Sequence, residues 1–300
     1  MLVDLVQVIT SDGLRLHGAL ELAESGPSDG SLGRQAAVDA WLCLHGTGSN
    51  FYSASTLSAL TPKLLAGGAA VLRVNTRGHD LMCTGPSAPG RWLQGAAFER
   101  VDESVLDLAA WIAFLRQRGF TRIGILGHSL GAVKAIFALA TDRSLEVSLL
   151  AAVSPPHLSY SYFCQTTRGD EFRQMFDTAE EYVRQGRGDD LLLAKFPLRY
   201  YVSATGYIDR YGPAERYNVL RLLDRVPCPT LVTYGSLEEQ GDLAFRDMPA
   251  AVAKTATAEN CLQVAVIAGA DHIYTGCHDV LAGRITAWLN RLQRTEDRQG

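Results

Sequence analysis

The chain of 300 residues is 47% hydrophobic and 20% charged, a composition typical of a soluble globular protein with one large α/β domain or two small ones. Its net charge of -4 is made of scattered charges of both signs, so it offers no basic stripe for nucleic acid. No apolar run approaches the roughly 20 residues of a membrane span, and Asp4 interrupts the start before a signal-peptide core could form. We therefore expect a cytoplasmic protein without a membrane span or a nucleic-acid partner.

The six cysteines are dispersed and include no Cys-x-x-Cys pair, so the sequence predicts neither a zinc site nor a disulfide framework. Cys43, Cys228 and Cys261 lie in or beside apolar strands and are predicted to be small buried hydrophobic side chains. No phosphate-binding loop, metal-ligand cluster or dinucleotide fingerprint occurs. We therefore predict no metal and no cofactor.

The first half of the chain alternates predicted strands with predicted helices. Segments 2–10 and 14–22 alternate in polarity around a Ser-Asp-Gly turn, which predicts an antiparallel hairpin. Residues 23–35 are rich in Ser, Gly and Asp and predict a surface loop. Beyond them, apolar runs predict strands at 38–44, 69–74, 121–126 and 147–153, and helical periodicity predicts helices at 55–65, 98–118 and 132–140.

The last third of the chain continues this alternation. Because the apolar runs lack polar alternation and are separated by helices, they predict a parallel sheet covered on both faces, which is an α/β fold. The strands are predicted at 229–234 and 262–267, and the helices at 242–254 and 276–292.

The segment between residues 156 and 227 has no convincing strand. Within it, residues 157–217 hold 12 of the chain's 25 aromatic residues. A substrate lid placed over the strand ends would need such aromatic side chains. A small helical subdomain whose aromatic residues pack its own core would show the same composition, so both interpretations stay open.

Residues 127–131 read Gly-His-Ser-Leu-Gly, between the predicted strand at 121–126 and the predicted helix at 132–140. In this context the pattern predicts a nucleophile elbow, a turn so tight that glycine is needed on either side of a strained serine. The turn would present the hydroxyl of Ser129 above the carboxyl ends of the strands.

Several motifs occur in a characteristic order: His-Gly-Thr-Gly at 45–48, Arg-Gly at 77–78, the elbow at 127–131, Gly-Ser-Leu-Glu at 235–238 and Gly-Ala-Asp-His at 269–272. Together with the hairpin, they make nearly the whole chain resemble the α/β-hydrolase superfamily. The resemblance implies a mostly parallel eight-stranded sheet with helices on both faces and a helical lid insertion. The core domain would comprise residues 1–156 and 218–300, and the lid residues 157–217.

A serine nucleophile needs a base and a third group that orients the base. The chain order in this superfamily is serine, acid, histidine. His272 fits the role of the base, since it follows the last predicted strand and directly precedes the final predicted helix. His278 lies inside that helix, and His157 precedes the acid position, so both fit less well.

The resemblance places the acid three residues after the glycine that ends the penultimate strand, which gives Glu238. Most relatives carry Asp there, and a Glu requires the loop backbone to lie slightly farther away. Glu239 and Asp242 are close enough in sequence to compete.

Backbone N–H groups must stabilise the negative charge that develops on the substrate carbonyl oxygen. The family pattern assigns these oxyanion-hole donors to Leu130, directly after the nucleophile, and to Thr47, with Gly48 as the alternative if the loop turns one residue later. His45 and His79 are expected to fasten their loops rather than to catalyse.

A serine nucleophile argues against the dehalogenases and epoxide hydrolases of this fold, which use a carboxylate. We expect hydrolysis of a small to medium ester through an acyl-enzyme; the outline also resembles bacterial serine hydrolases and siderophore-ester hydrolases. An acyltransferase, thioesterase or peptidase could use the same residues, and a non-catalytic ligand-binding homologue could keep the fold. A homodimer is left open. Predicted substrate contacts are Asn50, Tyr160, Tyr207 and Tyr274.

Overall fold

The computed structural model describes residues 3–23, 37–85, 93–257 and 261–296. In that part of the chain the strands are β1 (Val3–Ile9), β2 (Arg15–Glu21), β3 (Ala40–Leu44), β4 (Ala70–Val74), β5 (Cys83–Thr84), β6 (Leu93–Gln94), β7 (Ile123–His128), β8 (Leu149–Val153), β9 (Leu191–Ala194), β10 (Tyr200–Ser203), β11 (Thr230–Gly235) and β12 (Leu262–Ile267). The helices are α1 (Thr56–Ala66), α2 (Ser104–Gln117), α3 (Leu130–Thr141), α4 (Tyr160–Gln165), α5 (Gly169–Arg184), α6 (Ala204–Tyr211), α7 (Ser236–Gly241), α8 (Met248–Thr255) and α9 (His278–Glu296).

Eight strands form the central sheet in the order β1-β2-β4-β3-β7-β8-β11-β12. The hairpin β1-β2 is antiparallel, as predicted, and β2 also pairs antiparallel with β4. All later neighbours pair in parallel. The prediction of a mostly parallel eight-stranded sheet is confirmed, whereas residues 24–35 of the predicted surface loop lie outside the described residues.

Both faces of this sheet are buried, because consecutive side chains of a strand point to opposite faces. On β3, Leu42 and Leu44 join a large core that includes the apolar side chains of α2 and α3. Trp41 and Cys43 point the other way, into a second core that contains the apolar side chains of α1 and α9. Helices therefore cover both faces, as the lack of polar alternation in the strands predicted. Among the described residues, no helix is long and apolar enough to cross a membrane.

Two of the three cysteines predicted to be buried are indeed buried. Cys43 lies inside β3 and Cys228 just before β11, and burial raises the pKa of each thiol to about 12. The prediction for Cys261 is wrong: this residue precedes β12 rather than belonging to it, and its side chain is exposed. A position next to an apolar strand in the sequence was therefore not enough to bury the side chain of Cys261.

The parallel strands bring distant parts of the sequence to one edge of the sheet. Leu44 pairs with Gly127, so the loop after β3 begins beside the turn after β7. Gly235 pairs with Ile267, so the segments after β11 and β12 also start side by side. Candidate site residues that lie far apart in sequence therefore meet at the carboxyl ends of these strands.

The segment 157–217 contains a short antiparallel pair, β9 and β10, besides its helices. The prediction that this region has no strand is therefore wrong. Each strand has only four residues, and Leu191–Ala194 is apolar throughout, so neither shows the alternation that identifies a half-buried strand. The helix predicted at 242–254 begins later than expected, since α8 starts at Met248, and the short helix α7 lies before the predicted segment.

The aromatic residues of this segment pack mainly against one another. Phe172 contacts the rings of Phe163, Phe196 and Tyr207 at centroid distances of 5.4–6.4 Å. Buried tyrosine hydroxyls find partners, as when Tyr207 donates to the carbonyl of Phe196 at 2.9 Å. The interpretation of a segment with its own aromatic core is thus supported, although the same residues continue the large core of the sheet. The division into core and lid domains stays a prediction.

Candidate active site

Ser129 occupies a tight turn between β7 and α3, with a left-handed φ of 56° and a ψ of -123°. A Cβ at Gly127 would lie 2.5 Å from the carbonyl oxygen of Gly131, and a Cβ at Gly131 would lie 2.3 Å from the carbonyl oxygen of Leu44. Such contacts are far inside van der Waals range, so only glycine fits at either position. The sequence thus forms the elbow that the Gly-x-Ser-x-Gly pattern predicted.

We expect Gly131→Ala to lower the free energy of unfolding by at least about 2 kcal/mol, because a methyl group there must displace the backbone of a central strand. Gly283→Ala is the matched control: Gly283 lies in α9 with no atom within 4 Å of the added Cβ, so the substitution should be neutral or slightly stabilising. Guanidinium unfolding of both variants measures the difference. Equal stabilities would contradict the steric argument.

Three side chains form a hydrogen-bonded chain at the sheet edge. The hydroxyl of Ser129 donates to His272 Nε2 at 3.0 Å, and His272 Nδ1 donates to Glu238 Oε2 at 2.8 Å. These distances place a base beside the nucleophile and a carboxylate behind the base. The structure therefore brings together Ser129, His272 and Glu238.

Glu238 is buried and held by several donors. Its Oε1 accepts the N–H of Gly235 at 2.6 Å and the hydroxyl of Ser154 at 2.5 Å, while Oε2 faces His272. The carboxylate lies in the first turn of α7, where the helix dipole favours a negative charge. Of the competitors, Glu239 is half-buried and Asp242 is exposed, with its carboxylate accepting the N–H of Ala244.

The ring of His272 lies between the rings of Phe245 and His128, at centroid distances of 4.6 and 4.9 Å. His128 Nε2 also donates to the carbonyl oxygen of His272 at 2.8 Å, which fixes the loop that carries the base. Burial lowers the pKa of His128 from 6.5 to about 3, so its ring is neutral near pH 7. His128 thus supports the position of His272 without adding a charge next to it.

Two buried neutral histidines predict acid-sensitive stability. Burial lowers the pKa of His45 and of His128 to about 3, whereas the unfolded value is 6.5. Between these pH values the unfolded state binds more protons, so stability is lost as pH falls from about 6.5 towards 3. From pH 7.5 to pH 5 we expect each histidine to contribute a loss of about 2 kcal/mol in the free energy of unfolding.

Guanidinium unfolding at pH 7.5, 6 and 5 measures this loss. His128→Gln should lose about 2 kcal/mol less than wild type over that interval, since it removes one of the two groups. The solvent-exposed His17 provides the control variant His17→Gln. An unchanged pH dependence in His128→Gln would contradict a depressed pKa for this histidine.

The loop after β3 lies directly against the nucleophile. A Cβ at Gly46 would lie 3.0 Å from the Cβ of Ser129, so the neighbouring residue Thr47 follows within reach of the elbow. Thr47 and Leu130, the predicted oxyanion-hole donors, both line the cavity above Ser129, while Gly48 is not among its lining residues. His45 fastens the loop, because its Nδ1 donates to the carbonyl of Gly46 at 2.8 Å and its Nε2 accepts the N–H of Thr76 at 3.1 Å.

A cavity of about 690 Å³ opens above Ser129 and His272. That volume is within the range of small-molecule sites. The segment 157–217 contributes one wall and the loops after the strands contribute the other. Its apolar lining includes Leu158, Pro197, Leu198, Phe245 and Ile273. Its ionisable lining groups are His128, His157, Arg210, Tyr211, Asp242, His272 and His278.

None of the four predicted substrate contacts is among these lining residues, and their contact with a substrate stays a prediction. Asn50 is buried with its amide bound to Asp80 and to loop backbone, and Tyr274 is buried with its hydroxyl beside Ser154 and Thr233. Tyr207 is fully buried. Tyr160 packs on Phe172 and Phe176.

The cavity wall contains residues that the sequence did not single out. Of the twelve aromatic residues at 157–217, Tyr211 alone lines the cavity, together with Arg210 from the same helix. His157 and His278 also reach the wall, but their Nε2 atoms bind the carbonyls of Arg246 and Ile273, so neither faces Ser129 through a hydrogen bond. No group of three or more potential metal ligands occurs within the described residues.

Residues 41–284 match the model of a protein family described as the alpha/beta hydrolase family. Because this match covers most of the chain, the protein belongs to the alpha/beta hydrolase family. No curated protein sequence matches the chain.

Solved structures of similar fold include several esterases. Est1E from Butyrivibrio proteoclasticus, with ferulic acid bound, has a TM-score of 0.63 at 17% identity, covering 95% of this chain and 98% of its own. The alpha/beta hydrolase GrgF from Penicillium sp. sh18 has a TM-score of 0.69 at 16% identity, and the match covers 97% of this chain and 99% of GrgF. An esterase of Pyrococcus furiosus, Pf2001, has a TM-score of 0.61 at 19% identity, covering 97% and 91%. At these identities the similarity shows a shared fold.

Proposed function

We propose that the protein is a serine hydrolase that cleaves a carboxylic ester of a small to medium organic substrate. The observation that carries this proposal is the continuous hydrogen-bonded chain from Ser129 through His272 to Glu238 at the floor of the cavity. The esterases of similar fold agree with it.

The proposed reaction has two steps. Ser129 Oγ attacks the ester carbonyl carbon while His272 Nε2 takes its proton, and the backbone N–H groups of Leu130 and Thr47 stabilise the oxyanion. His272 then gives the proton to the departing alcohol as the acyl-enzyme forms. In the second step His272 takes a proton from water, which attacks the acyl-enzyme and releases the acid, and returns that proton to Ser129. Glu238 holds the His272 ring in the tautomer that leaves Nε2 free to act as base.

The volume and apolar wall of the cavity favour an acyl or alkyl group of medium size over a long lipid chain. A series of 4-nitrophenyl esters from acetate to palmitate tests both the activity and this size limit. We expect kcat/KM to be highest for short and medium chains. A fluorophosphonate probe should label the wild-type protein at Ser129.

Well-folded protein that neither hydrolyses any ester of the series nor reacts with the probe would overturn the proposal in favour of a binding homologue. Product analysis with added alcohols separates hydrolysis from acyl transfer, since a transferase would give a new ester in place of the free acid.

A further inference from the structure

A buried cluster of charges connects the elbow helix to the segment 157–217. Lys134 of α3 forms an ion pair with Glu99 Oε1, and Arg210 Nη2 of α6 lies 3.2 Å from Glu99 Oε2. All three residues are almost completely buried, the most accessible being Arg210, whose side chain is 1% exposed. Two basic side chains thus share one directly bound carboxylate.

The other groups bound to this cluster are uncharged. Lys134 Nζ donates to the hydroxyl of Thr76 at 2.8 Å, and Arg210 Nη1 donates to the hydroxyl of Tyr200 at 2.5 Å. Burial raises the pKa of both Tyr200 and Tyr211, so neither phenol becomes a counter-ion near neutral pH. These hydroxyls orient the two cations without neutralising them.

The acidic residues nearest to Arg210 are engaged or solvated. Asp209 binds the N–H of Val101 at 3.0 Å and the hydroxyl of Tyr217 at 2.8 Å, and it pairs with Arg216. Asp242, at the cavity rim, is exposed, where water and salt screen its charge. Among the described residues, neither Asp209 nor Asp242 therefore has a hydrogen bond or ion pair to Arg210, whose direct carboxylate partner is Glu99.

Arg210 belongs to the wall of the cavity that contains Ser129 and His272, and among the described lining residues it is the only lysine or arginine. Its Nε is buried and has no hydrogen-bond partner in the described part of the chain. A guanidinium group is costly to bury without an adequate counter-charge, and its planar donors match a carboxylate. The wall of the cavity thus contains a guanidinium group with one unused donor.

We propose that Arg210 binds a carboxylate on the substrate, at the end opposite the ester, and that the enzyme therefore prefers monoesters of dicarboxylic acids. This inference rests on the proposed function, since it assigns the substrate class of the same cavity. The apolar lining strengthens the attraction because it excludes water from the pair. The acyl chain would run from Ser129 along this lining to Arg210.

The test compares two esters of nearly equal size, mono-4-nitrophenyl adipate, which is anionic, and 4-nitrophenyl methyl adipate, which is neutral. We expect wild-type kcat/KM to be about tenfold or more higher for the anionic ester, the factor that one charge-assisted hydrogen bond supplies. Arg210→Gln should lower this ratio to about 1 or below. The matched control Arg187→Gln removes an exposed cation of the same segment that does not line the cavity, and it should keep the wild-type ratio.

A wild-type preference for the neutral ester, or the same ratio in Arg210→Gln as in wild type, would overturn the inference. If Arg210→Gln does not fold, the ratio of kcat/KM for the anionic and the neutral ester in the wild-type protein alone tests the inference, since that measurement needs no substitution.

A binding measurement separates this inference from the proposed function. Calorimetry with monomethyl adipate, an anion that needs no catalysis, should show binding to Ser129→Ala that weakens about tenfold or more when Arg210→Gln is added. If neither ester is hydrolysed but this Arg210-dependent binding is found, the hydrolase proposal fails and the anion site stands. Binding of equal strength with and without Arg210 would overturn the anion site.

Discussion

Replacing Ser129 with alanine should reduce kcat for a 4-nitrophenyl ester by about 10⁴- to 10⁶-fold, the range that loss of a serine nucleophile costs in well-studied triads. The reason is the geometry of the site: the hydroxyl of Ser129 lies 3.0 Å from His272 Nε2, and alanine leaves the base with no proton to accept. Steady-state kinetics with purified variants, together with loss of fluorophosphonate labelling, measure the effect.

Ser49→Ala is the control, since it removes a different hydroxyl from the wall of the same cavity and should keep most of the activity. Circular dichroism and thermal unfolding establish that both variants fold. A Ser129→Ala protein that retains wild-type kcat would show that another residue, or none, forms the acyl-enzyme.

Glu238→Gln should reduce kcat by about 10⁴-fold with a smaller effect on KM, because an uncharged amide neither selects the productive tautomer of His272 nor stabilises its protonated form. The amide oxygen can still accept the N–H of Gly235 and the hydroxyl of Ser154, so the loop should keep its position. The comparison of kcat with thermal stability therefore separates a role in the reaction from a role in folding.

Glu239→Gln and Asp242→Asn are the matched controls, since each neutralises a carboxylate in or directly after α7 that is not hydrogen-bonded to His272. Both should keep kcat near the wild-type value. Glu238→Asp keeps the charge but shortens the side chain, so we expect activity between those of wild type and Glu238→Gln. An equal loss of kcat in Glu239→Gln or Asp242→Asn would contradict the assignment of the acid to Glu238.

The central sheet was predictable because its strands are long apolar runs separated by clear helices. Their burial on both faces leaves no polar alternation, and this pattern is visible in sequence without any partner. Boundaries were less certain: the helix predicted at 98–118 begins at Ser104 after a turn of 3₁₀ helix. Helix ends depend on local hydrogen bonds that hydrophobic periodicity does not record.

The segment 157–217 was harder to predict for a physical reason. Its strands β9 and β10 have four residues each, and its aromatic side chains could equally pack together or face a ligand. Composition indicates that the aromatic rings will be buried, but it does not indicate whether they will contact one another or a ligand. The structure resolves this: Phe172 and Tyr207 face other rings, and a single tyrosine, Tyr211, reaches the cavity.

The floor of the site was accessible from sequence, because Ser129, His272 and Glu238 each follow a strand of a parallel sheet, whose carboxyl ends meet. Its wall was not. Lys134 lies in an apolar helix and Arg210 in a distant segment, and only tertiary packing puts Glu99 between them. Charged residues that pair across such separations along the chain produce no periodic pattern in the sequence.

Burial of the thiols in the sheet has a practical consequence. Cys43 is buried and the pKa of its thiol is raised to about 12, so it should not react with alkylating reagents while the sheet is folded. Cys261, in contrast, is exposed and accessible to modification in the native protein. Cys43 lies in the strand that ends at the loop carrying Thr47. Its slow alkylation, followed by mass spectrometry, would therefore report how often the structure beside Ser129 opens, without any introduced label.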